Sequence, residues 1–96
     1  MPKYVIERTM PGAGQLSAAE LRAASAMSNE VLAALSPRVS WQQSYVTDDK
    51  IFCVYVADDP EVIREHARLA GFPADAVHRV GAVIDPSTGE RAAACE

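Results

Sequence analysis

Apolar positions in this chain recur with two periods, and each change of period marks a new element. From Lys3 to Thr9 the residues alternate, Tyr4, Ile6 and Arg8 against Val5, Glu7 and Thr9, which predicts a strand. Pro11, Gly12 and Gly14 then break it into a flexible connection. Ser17-Ala18-Ala19-Glu20 is a capping box, because the serine oxygen can take an orphan helix N–H while the glutamate reaches back. Beyond it Leu21, Ala24, Met27, Ser28, Val31, Leu32 and Leu35 repeat at three- and four-residue steps, one helical face ended by Pro37. Trp41 to Ala57 holds two runs of β-branched and aromatic residues around Asp48-Asp49, the pattern of a hairpin. Asp59 and Pro60 open a second helix with Val62, Ile63, His66, Ala67 and Ala70 inward and Gly71 at its end. After a short turn over residues 72–76, His78 to Ile84 reads as a last strand stopped by Asp85-Pro86.

The order is β-α-β-β-α-β, an α+β ferredoxin-like sandwich: a four-stranded antiparallel sheet with two helices on one face. A turn closing on Asp48-Asp49 sets Val46 opposite Ile51, Tyr45 opposite Phe52, Ser44 opposite Cys53, Gln43 opposite Val54 and Trp41 opposite Val56. Directly opposed residues share a face. One face then carries Trp41, Gln43, Tyr45, Phe52, Val54 and Val56, and its apolar area predicts that it lies under the helices. The other, with Val46, Ile51, Cys53 and Tyr55, is expected to be open beside Val5, Glu7 and Thr9. An open face this apolar predicts sheet-to-sheet pairing of two copies, a homodimer of the dimeric α+β-barrel type.

Ninety-six residues make one domain, read here as residues 1–86 with a tail over 87–96. The formal charge of -4 weighs against nucleic acid, whose readers carry basic stripes. No apolar run reaches the length of a membrane span, and no leader pattern follows Met1-Pro2-Lys3. Cys53, in mid-strand, and Cys95, near the end, are poor material for a structural disulfide. The expected compartment is the cytoplasm.

Four stretches carry a resemblance: Tyr4-Val5-Ile6-Glu7-Arg8, the hairpin from Trp41 to Tyr55 with its Ser-Tyr-Val-Thr-Asp-Asp-Lys block, Arg64 to Arg68 with Gly71-Phe72-Pro73-Ala74, and Ile84-Asp85-Pro86. Over about residues 3–88 the chain resembles a bacterial family of small ferredoxin-like domains often labelled nickel-binding proteins. The resemblance implies the ferredoxin-like fold, a homodimer and surface nickel binding. It implies no enzymatic reaction.

The candidate chemistry is sparse. His66 sits in the inward stripe of the second helix, where it can ligate a metal or move a proton near neutral pH. A histidine satisfied by a hydrogen bond at the edge of the core is the plainer explanation. Glu7 is a carboxylate in mid-strand that must be solvated, paired or protonated, so it lines a wet cleft or makes an ion pair. Tyr45 and Tyr55 can donate to a ligand, though strand tyrosines are commonly packing residues with a polar tip. Cys53, with no basic neighbour evident, reads as inert. His78 and the carboxylates Asp48, Asp49, Asp58 and Asp59 suit loose nickel binding, although turn and cap chemistry already accounts for the acidic pairs.

Three uses compete. The first is a small dimeric protein binding nickel or another divalent metal, with His66 and His78 as ligands. The alternative is a small-molecule binder or enzyme with a pocket near Glu7, Tyr45, Tyr55 and His66, Glu7 serving as general base. The third is an interaction module whose open sheet face only pairs.

Overall fold

A computed structural model describes residues 1–90. Strand β1 (Lys3–Thr9) lies inside a sheet of order β2-β3-β1-β4, with β2 at Val39–Val46, β3 at Lys50–Ala57 and β4 at Ala76–Arg79. Every pairing is antiparallel. Helices α1 (Ala18–Leu35) and α2 (Pro60–Ala70) pack on one face and against each other. This is the ferredoxin-like α+β sandwich. A short helix α3 (Pro86–Glu90) begins the expected tail; the rest of that tail, with Cys95, lies outside the described residues. No helix among the described residues is long and apolar enough to cross a membrane.

The local signals act as their chemistry predicts. Ser17 Oγ accepts from the Glu20 N–H at 3.1 Å, and Glu20 Oε1 accepts from the Ser17 N–H at 3.0 Å, completing the capping box. Asp59 Oδ1 caps α2 by accepting from the Val62 N–H, and Gly71 ends it at φ 77°, a left-handed conformation that glycine adopts without a Cβ clash. The acidic turn has a second task. Asp49 accepts the N–H groups of Met10 and Gly12, and Asp48 accepts that of Gly14, which docks the β1–α1 connection onto the hairpin. A Cβ on Gly14 would stand 2.9 Å from the Asp48 Cα, so only glycine allows this approach.

The face assignment read from the sequence is inverted. Tyr4, Ile6, Cys53, Tyr55 and Ala57 are buried under the helices, whereas Phe52, Val54 and Val56 point to the uncovered side. The hairpin register is as expected from Val46–Ile51 to Gln43–Val54. A bulge at Gln42 then places Trp41 opposite Tyr55 instead of Val56. One extra residue moves the tryptophan to the helix side, where it packs against the core. Without the bulge Trp41 adds to the apolar area of the other face; with it that area moves to the helix side. The helix side is instead selected by β1, whose Tyr4 and Ile6 face Tyr55 and Cys53 directly.

Two smaller expectations also change. The last strand was expected over His78–Ile84 but spans Ala76–Arg79, because β1 begins at Lys3 and its carbonyl takes the Val80 N–H as the final bond. Val83 and Ile84, past that end, are 71% and 77% exposed. On α1, Met27 points outward at 47% exposure, and Ser28 is the residue the helix buries.

Candidate functional site

Tight and loose packing divide the space beneath the helices. Around α2, Val62, Ile63 and Ala67 fill the interface completely, joined by Leu32 and Leu35 from the end of α1. The first half of α1 presents Ala24, Ser25 and Ser28 inward, which are too small to reach the sheet. A cavity of about 90 Å³ results, with apolar walls that include Leu21, Trp41 and Ile51.

At its floor lies Arg8, 2% exposed, on the core side of β1. Its Nε donates to Cys53 Sγ at 3.4 Å, its Nη2 to the Tyr55 hydroxyl at 3.3 Å and its Nη1 to the Pro73 carbonyl. The guanidinium also stands 5.6 Å from the centre of the Phe72 ring, within cation–π range. Among the described residues no carboxylate lies within salt-bridge distance of it.

Tyr55 and His66 complete this buried polar layer, their ring centres 5.5 Å apart. Burial pushes the Tyr55 hydroxyl up to about 12, with the Arg8 charge acting against the shift. His66 Nε2 lies 3.0 Å from Ser28 Oγ, and its Nδ1 has no partner among the described residues. Burial, then the Arg8 charge, lowers the His66 pKa, with Ser28 opposing, so the imidazole is held neutral.

The opposite face of the sheet carries the second group. Glu7, opposite Phe52 and Ala76, accepts a hydrogen bond from Lys50 Nζ at 2.8 Å, and its other oxygen lies 3.8 Å from His78 Nε2. The Lys50 hydrogen bond and charge hold the Glu7 carboxyl below its ordinary value and raise Lys50 in turn. Tyr45, 56% exposed, shares this face and accepts from the Gln43 side-chain amide.

The residues singled out from the sequence therefore fall into two sets. Tyr55 and His66 meet beneath the helices, while Glu7, Tyr45 and His78 lie on the uncovered face. A single pocket holding Glu7 with Tyr55 is excluded by register, since Tyr55 pairs with Tyr4 and Glu7 with Phe52. One metal site cannot take both histidines, because the sheet separates them. The Asp49 and Asp59 carboxylates are engaged in turn and cap bonds, whereas Asp48 is engaged through its backbone carbonyl. The sequence reading overlooked Arg8 as a site residue, although strict alternation with Tyr4 and Ile6 already set that charge in phase with the core.

Residues 4–80 match the family described as "Nickel responsive protein SCO4226-like". The chain belongs to that family. The crystal structure of SCO4226 from Streptomyces coelicolor A3(2) is similar to this SCO4226-like chain with a TM-score of 0.72, covering 85% of this chain and 99% of that one at 19% identity. At that identity the likeness establishes the fold. A comparison with curated proteins gives no match.

Proposed function

We propose that the chain is a homodimeric divalent-metal-binding protein, with nickel the favoured ion, whose uncovered sheet faces pair and whose Glu7 and His78 supply ligands. The supporting observation is the Glu7–His78 pair, an oxygen and an exposed imidazole 3.8 Å apart beside the apolar strip of Val5, Phe52, Val54 and Val56. Imidazole and carboxylate both suit nickel, and the family is named for its response to that metal. Among the described residues no group of three or more His, Cys, Asp or Glu is placed to hold an ion. A selective site on one copy alone is therefore disfavoured, and a second copy contributing its own pair meets the need. Lys50 works against cation binding from its place on Glu7. The cytoplasm is the proposed compartment, in keeping with Cys53 as a free, buried thiol.

Calorimetric titration of tag-free protein with Ni²⁺, alongside light scattering, tests this reading. The expected result is a dimer whose affinity falls about 10-fold or more in His78→Ala and in Glu7→Gln, while Lys50→Met tightens binding. Equal affinity in all three variants, or a monomer that binds as well as the dimer, refutes it.

A further inference from the structure

We propose that the cavity beneath the first half of α1 binds a small organic carboxylate, its charged end on Arg8 and its short apolar tail against Leu21, Trp41 and Ile51. This is independent of the nickel reading, which concerns the other face of the sheet.

The first argument is charge. A buried cation is normally matched by a buried anion, because desolvation without a partner is costly. Arg8 is 2% exposed, yet its hydrogen-bond partners are a cysteine sulfur, a tyrosine hydroxyl and a backbone carbonyl. Guanidinium carries five N–H donors, and these contacts use three. The remaining donors and the whole positive charge suit a carboxylate, which arginine binds through paired, charge-assisted hydrogen bonds.

The second argument is shape. Arg8, Ser28 and Tyr55 all line the cavity, and most of its other wall is apolar. Convergent polar groups in an apolar hollow are the usual form of a small-molecule site. The Tyr55 hydroxyl accepts from Arg8 and keeps its own proton, so it has a donor to offer a ligand or Ser28. An apolar cavity of ~150 Å³ holds benzene. By that scale about 90 Å³ encloses roughly four heavy atoms, a carboxylate with one or two methylenes, and a longer tail would extend through the open side. Water filling the cavity would solvate Arg8 but would not neutralise it.

The third argument is local sequence. Leucines in place of Ala24, Ser25 and Ser28 would close this space, as Leu32 and Leu35 do one and two turns further along. The hollow thus lies where the buried cation lies.

The test is a titration of metal-free, full-length protein with sodium butyrate, 1-butanol, butylammonium and inorganic phosphate. Amide and side-chain NMR shifts are read together with fluorescence from the chain's single tryptophan, Trp41. Butyrate should shift Arg8, Ser28 and Trp41 saturably. Butanol should bind at least about 10-fold more weakly, the equivalent of about 1.4 kcal/mol, because it lacks the charge-assisted bonds to Arg8, and butylammonium should not bind, because its charge is of the same sign as Arg8. Arg8→Met should bring butyrate down to the level of butanol. If that variant does not fold, Ala24→Leu serves instead, abolishing butyrate binding by filling the tail space with Arg8 intact. Equal binding of butyrate and butanol, no saturable response to carboxylates from acetate to hexanoate, phosphate binding as tightly as butyrate, or shifts confined to Lys50 and its neighbours would each overturn the proposal. Failure of the nickel titration would leave it untouched.

Discussion

Glu7 and Arg8 are consecutive residues of opposite charge, and the pleat of β1 sends them to opposite sides of one sheet. Glu7 finds Lys50 and His78 in an accessible setting, where solvent supports each charge and the ion pair adds little to stability. Arg8 finds sulfur, phenol and carbonyl in a buried one, where nothing on the described chain cancels its charge. Burial, rather than charge, makes the difference. The same strand supplies an anionic point on the uncovered face and a cationic point in the cavity beneath the helices.

The largest effect should come from removing Arg8 altogether. Arg8→Ala should cost about 2–4 kcal/mol in urea denaturation, because its stem packs in the core and its loss enlarges the cavity. Arg8→Met sharpens the comparison by keeping the stem and deleting only the charge. Its denaturation midpoint should match or exceed that of the parent, as expected when a buried charge gives way to an apolar residue of similar volume. A clear loss of stability in that variant would mean that Arg8 serves the fold rather than a ligand.

Filling the hollow is expected to act less strongly and in the opposite direction. At ~24 cal/mol per Å³ of cavity the ceiling for about 90 Å³ is roughly 2 kcal/mol, and imperfect fit leaves Ala24→Leu a gain of about 1 kcal/mol. The buried side also predicts a pH dependence. His66 has a folded pKa below its ordinary 6.5, so the unfolded chain binds the extra proton first. Stability should therefore be full above pH 6.5 and decline as pH falls from there toward the lowered folded value, and His66→Gln should flatten that slope in urea midpoints measured against pH.

The smallest effect belongs to the open face. Glu7→Gln should lower the midpoint at neutral pH only slightly, as the loss of a solvent-accessible ion pair does. The Glu7 contribution, present above about 4.5 and lost as pH falls through its depressed folded value, should vanish from the acid limb. A midpoint shift as large as that of Arg8→Ala would erase the contrast between the two faces.

What the amino-acid order determined alone is what neighbours in the chain decide between themselves. The capping box at Ser17, the Asp59-Pro60 start of α2, the Gly71 stop and the hairpin on Asp48-Asp49 each involve residues a few positions apart, and element order followed from them. Even the phase of β1 was legible, with Tyr4, Ile6 and Arg8 on one side. Tertiary structure decided which side of the hairpin the helices cover, because that depends on β1 pairing with β3 across more than forty residues and on a one-residue bulge at Gln42. It alone separated Glu7 from Tyr55 and His66 from His78. Pattern along a chain states that two residues share a face; only the partner strand and the packed helix state which face is buried, since that choice is made by contacts distant in sequence.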